Sequence, residues 1–226
     1  MHQNFHHGGS ADWSLDEAVV ECFDRLVKPG DRTLETGAGR STVELIRRGA
    51  VHTAITPAAP EVDAVTQALR DERLDMSQLA FHRGYSQDVL PQLAHDGPLD
   101  LVLIDGGHGF PIPQIDWAYT APRLRVGGYM MIDDSDVWTG RILVDFLRRE
   151  PGWTLVEMIR GRTAIFQLTQ PFEHLEWTEQ PFVFQQSMGS QRRRKLANAL
   201  AHLLRGEFGV LMRKFRHDRA LVGARK

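Results

Sequence analysis

The sequence predicts an α/β protein: a seven-stranded, mostly parallel sheet that ends in an antiparallel hairpin and is followed by a basic helical extension. Three observations carry that expectation. Between Arg32 and Leu168, short β-rich runs alternate with longer helical patterns, the order that builds βαβ units. The last two strand-like runs are separated only by Arg160, Gly161 and Arg162, too few residues for a helical crossover, so they pair antiparallel. Charge is also divided unevenly. Residues 186–226 hold eleven Lys/Arg against two Asp/Glu, whereas the rest of the 226-residue chain is acidic.

In chain order, strands are expected near 32–36, 51–55, 79–83, 99–104, 128–133, 153–159 and 163–168, with helices over about 14–27, 41–49, 60–74, 86–95, 112–123 and 139–149. Lys28-Pro29-Gly30-Asp31 closes the first helix before a strand, and Arg125-Val126-Gly127-Gly128 closes another. Leu99–Ile104 reads as a strand buried on both faces. Residues 1–11 are expected to be mobile. Residues 12–168 form the α/β domain, 169–190 an irregular aromatic connecting segment, and 191–226 a basic amphipathic helical tail.

With 42% hydrophobic and 25% charged residues the composition is that of a globular protein. No apolar run exceeds four residues, as in Leu101–Ile104, which excludes a bilayer span or a signal-peptide core. A lone cysteine, Cys22, excludes an intrachain disulfide and a four-cysteine zinc site. The expected location is the cytoplasm, with the basic tail allowing peripheral contact at a membrane.

Thr33-Leu34-Glu35-Thr36-Gly37-Ala38-Gly39-Arg40-Ser41-Thr42 runs from a strand through a glycine-rich turn into a helix, where backbone N–H groups can meet a nucleotide-like ligand. A dinucleotide fingerprint needs a third glycine at position 42 and an acidic residue ending the second strand; the chain has Thr42 and Thr56 there. The same segment, Glu35-x-Gly37-x-Gly39, resembles motif I of the class I S-adenosylmethionine-dependent methyltransferases, which have a Rossmann-like sheet. The resemblance implies that Glu35, Gly37, Gly39 and Ser41 line the methionine end of the cofactor. It places Thr56 where the family carries an acidic ribose ligand, so that Thr56 or Glu61 takes over part of that role or the cofactor is held more weakly. It also sets Ser86 and Gln87, in the loop after the third strand, against the adenine.

Two strands deliver acidic groups at their carboxyl ends: Asp105-Gly106-Gly107-His108 after one, and Asp133-Asp134-Ser135-Asp136 after the next. Three carboxylates converging in one crevice repel unless one is protonated or a cation sits between them, and a hard divalent ion answers that. The alternative is that these aspartates cap turns and helices. Together with the glycine loop and Gly127-Gly128-Tyr129-Met130-Met131-Ile132, the motifs resemble a group that includes metal-dependent sugar O-methyltransferases of macrolide pathways and cephalosporin-hydroxylase-like proteins. That resemblance implies methyl transfer from S-adenosylmethionine to a hydroxyl of a small molecule or glycan. Asp105, Asp133 and Asp134 would hold a divalent metal, magnesium being the expected ion; Asp105 would also meet the cofactor, and His108 would serve as base. Two rivals stay open: a hydroxylase-like reaction, and a non-catalytic scaffold or membrane-associated partner.

Leu196, Leu200, Leu203, Leu204, Phe208, Leu211 and Phe215 form an amphipathic stripe in the tail, interrupted by Gly206 and Gly209. It can pack on the acidic body, join a homo-oligomer, lie on a membrane surface or touch nucleic acid. The absence of interleaved aromatics argues against the last.

Overall fold

The computed structural model describes residues 15–205; the expectations for residues 1–11 and for the tail from Gly206 onward lie outside the described residues. Asp16 caps the first helix, α1 (Glu17–Leu26), by accepting from the Ala18 amide at 2.9 Å, and Val19, Val20 and Phe23 turn inward. The chain continues as β1 (Arg32–Thr36), α2 (Arg40–Arg47), β2 (Val51–Thr56), α3 (Ala59–Asp71), β3 (Leu79–Arg83), α4 (Ser86–Val89) and β4 (Leu99–Ile104). It closes with α5 (Ile112–Thr120), β5 (Leu124–Ile132), α6 (Trp138–Leu147), β6 (Trp153–Ile159), β7 (Thr163–Leu168) and α7 (Pro181–Leu204).

The seven strands form one sheet in the order β3-β2-β1-β4-β5-β7-β6. β7 runs antiparallel to both β5 and β6, and the other neighbours are parallel. Strand periodicity divides the core: Val102 and Ile104 of β4 face one apolar layer with Leu34, Met130 and Ile132, whereas Leu101 and Leu103 face the other with Phe23, Leu45 and Met131. The chain reverses its order across the sheet between β1 and β4, and in open α/β sheets a crevice forms at the strand carboxyl ends where the order turns.

Three boundaries differ from the sequence expectation. β5 starts at Leu124, which pairs with Leu99 ahead of the expected turn; residues 125–128, with Gly127 at φ +83°, bulge out of register before pairing resumes at Tyr129 opposite Leu101. The helix expected over 86–95 is one turn, α4, followed by a 3-10 turn at Leu90–Gln92, since Pro91 has no amide to donate. α7 begins at Pro181, so residues 181–190 are helical rather than irregular. The chain divides into two compact units at His174/Leu175. In the second unit the rings of Trp177 and Phe184 stack at 6.1 Å, and Leu196, Leu200 and Leu204 are exposed. Among the described residues, no helix is long and apolar enough to cross a membrane.

Candidate active site

The carboxyl ends of β1, β2 and β4, with the loops that follow them, enclose a cavity of about 500 Å³. Gly37, Gly39 and Ser41 line it from the turn into α2, and Thr56 lines it from the end of β2. Ser86 and Gln87 reach it from α4, Asp105 and His108 from the loop after β4, and Asp134 from the loop after β5. Gly37 is needed where it stands. Its φ is +109°, and a Cβ there would lie 2.6 Å from the carbonyl oxygen of Asp105. The Asp105 amide in turn donates to the Thr36 carbonyl at 3.1 Å, which locks the two loops together.

Glu35, expected to touch the cofactor, is not among the cavity residues. It is buried beneath the glycine turn, where Ser41 and Thr42 donate hydroxyl hydrogen bonds to it and His52 Nε2 lies 3.0 Å from Oε1. The other His52 nitrogen meets the Thr33 hydroxyl at 2.7 Å. His52, from the paired strand β2, is the signal that sequence reading left unused.

At the end of β2, where the resemblance leads one to expect a ribose ligand, Thr56 donates to Glu61 at 2.7 Å and accepts from the Ala58 amide at 3.2 Å; Glu61 itself lines the cavity. A carboxylate is therefore present at the end of β2, supplied by the first turn of α3.

The acidic groups after β4 and β5 part company. Asp134, in the left-handed region at φ +50°, places Oδ2 2.9 Å from His108 Nε2. Its Oδ1 accepts from Arg162 Nε at 2.7 Å and Nη2 at 2.6 Å. The hydrogen bond to His108 holds the Asp134 carboxyl below its ordinary range, and the same bond lifts the His108 pKa. Burial pushes Asp105 well above the usual carboxylate range, and the charges of Asp133, Glu35 and Asp134 add to that. Asp133 turns away to accept from the Thr163 hydroxyl at 2.5 Å, and burial raises its pKa as well. Ligand atoms of Asp105, His108 and Asp134 lie within 4.8 Å of one another. Asp133, expected in the metal set, is outside that group, and His108 stands in its place.

Two residues escaped the sequence reading. Arg162 was visible only as a hairpin residue; the Ser135 amide and hydroxyl both donate to its carbonyl, at 2.8 and 2.6 Å, and pin the hairpin beside β5. Asp116, on the buried face of α5, is fully enclosed, and burial pushes its carboxyl up to about 6.

Residues 34–135 match the family model of a methyltransferase domain. No curated protein matches the sequence. Among solved structures, the fold is similar to the O-methyltransferase TomG of Streptomyces achromogenes, involved in tomaymycin synthesis and solved in complex with SAM. That similarity has 18% identity over 70% of this chain and 83% of that one, with a TM-score of 0.58. Cofactor-bound Rv0187 from MTB matches at 18% identity over 70% and 82% of the two chains, TM-score 0.58. The SAH-bound methyltransferase PaMTH1 of Podospora anserina matches at 14% over 71% and 82%, TM-score 0.56. Residues 34–135 of this chain thus resemble a methyltransferase domain, and the seven-stranded sheet with its antiparallel terminal hairpin is the Rossmann-like methyltransferase fold.

Proposed function

We propose that the protein transfers the methyl group of S-adenosylmethionine to a hydroxyl oxygen of a small molecule or glycan. The observation that carries this reading is the 2.9 Å pair of His108 and Asp134 at the cavity formed by the glycine turn. A hydroxyl is a weak nucleophile while protonated. As the new O–CH₃ bond forms and the S–CH₃ bond breaks, its proton passes to His108, and Asp134 stabilises the imidazolium. Arg162 and the hairpin hold Asp134 in place for that task. The donor occupies the cavity with its methionine part against Gly37, Gly39, Ser41 and Asp105, its ribose toward Thr56 and Glu61, and its adenine toward Ser86 and Gln87. Phe110 and Trp138, both exposed and with ring centroids 6.0 Å apart, flank His108 and Asp134 in sequence and offer a surface for the acceptor's ring. TomG's part in tomaymycin synthesis is consistent with a small-molecule acceptor.

A second reading adds a divalent ion, magnesium being the expected one. The clustering of Asp105, His108 and Asp134 supports it, as does the repulsion of Asp105 by the neighbouring Asp133, Glu35 and Asp134; the two carboxylates suit magnesium, whereas the imidazole suits a transition-metal ion better. Such an ion, when bound, lowers the pKa of an acceptor hydroxyl and fixes its approach. His108 is then a ligand instead of the base.

The test is formation of the demethylated product from S-adenosylmethionine across sugars, phenols and glycolipids, in magnesium and in chelator. Turnover in both conditions supports the His108–Asp134 base. Turnover lost in chelator and restored by magnesium supports the ion. Donor that neither binds nor is consumed overturns the proposal and favours a scaffold.

A further inference from the structure

Asp116 is the one described carboxylate that is fully buried with neither oxygen in hydrogen-bonding geometry to any partner. It sits on the inward face of α5 with Pro113 and Thr120. The Ser86 and Thr36 hydroxyls face it and His108 acts on it electrostatically; all three of those residues line the cavity, each from a different loop. Asp116 is not itself part of the cavity lining, but it neighbours lining residues at the end of β1, the start of α4 and the loop after β4. Two hydroxyls and a neighbouring imidazole offset the burial of this carboxylate only in part, since its pKa stays raised, and a fold retains such a group where a ligand supplies further positive charge.

We propose that Asp116 is the electrostatic partner of the donor's sulfonium, favouring the cationic S-adenosylmethionine over its neutral demethylated product. This rests on the donor reading above. Methyl transfer removes the positive charge, so the same carboxylate that draws the donor in ceases to hold the product, and product release is favoured by the chemistry itself. Thr36 and Ser86 act as the polar screen between Asp116 and the cavity.

Calorimetric titration of the full chain with S-adenosylmethionine and, separately, with its demethylated product tests this directly. Asp116→Asn, which keeps the shape and removes the charge, is expected to weaken donor binding roughly 10–100-fold while changing product binding by less than about threefold. Product binding reports that the variant is folded; if Asp116→Asn does not fold, Asp116→Ser removes the charge with less bulk and is read the same way. Equal losses for the two ligands, or no loss for either, overturn the proposal with the donor reading intact. Wild-type protein that binds neither ligand overturns both.

Discussion

Two acidic clusters stand at neighbouring strand ends and solve the problem of a buried carboxylate in opposite ways. At the end of β1, Glu35 is surrounded: two hydroxyls donate to it, His52 closes the ring, and Thr33 satisfies the far side of His52. At the ends of β4 and β5, Asp105 and Asp133 are held above their ordinary pKa range by burial, and only Asp134 is well compensated, by His108 and Arg162. A closed polar network fixes shape, here the shape of the glycine turn that borders the cavity. An electrostatically frustrated one that opens onto a cavity is where a proton or a cation can be exchanged. The two clusters are made from the same residue types, so the partners, and not the carboxylates, decide which is scaffold and which is chemistry.

Substitutions that separate the two clusters rank by expected effect. His108→Ala should lower turnover roughly 10²–10⁴-fold with product affinity unchanged, measured by initial rates beside calorimetry. Asp134→Asn should cost less turnover and carry a diagnostic change in pH dependence. Asp134 raises the His108 pKa, and the base must be neutral, so the acidic limb of the wild-type pH–rate profile lies above the ordinary histidine range. Removing the charge should move that limb to lower pH; an unmoved limb removes Asp134 from the dyad. Glu35→Gln should act on stability instead, lowering resistance to urea by about 1–3 kcal/mol while turnover of the folded fraction persists. A rate loss like that of His108→Ala would erase the distinction between the clusters.

The smallest effect is expected for Asp133→Asn. Its folded pKa is raised, so ionised Asp133 costs stability at neutral pH, and that cost disappears as pH falls below the unfolded value. Asn still accepts from Thr163, so the variant should unfold at slightly higher urea near pH 7, by about 1 kcal/mol or less, with turnover nearly unchanged. A large loss of turnover would return Asp133 to the catalytic group.

Much of the fold was legible because burial on both faces leaves unbroken apolar runs such as Leu101–Ile104, and a three-residue gap at Arg160–Arg162 permits only a hairpin. Gly37, Ser41, Thr56 and Ser86, singled out by the glycine turn and the family resemblance, all line the cavity, since each stands where a strand end gives way to a loop or helix. What the sequence hid was side-chain direction and pairing across the sheet. Glu35 turns inward because His52 sits on the adjacent strand, a proximity set by β1–β2 register and invisible in the linear chain. Asp133 and Asp134 are consecutive yet diverge, because Asp134 takes a left-handed backbone that sends it to His108 while Asp133 meets Thr163. Arg162 and Asp116 depend on a hairpin and a helix folding back over strand ends distant in sequence.

Transfer of an isotopically labelled methyl group from S-adenosylmethionine to a panel of hydroxylated acceptors, wild type beside His108→Ala, tests the central claim most directly. Label is expected in an O-linked methyl of the acceptor, with formation slowed by at least about 10²-fold in the variant. Label on nitrogen or carbon, or an unimpaired variant, would contradict it.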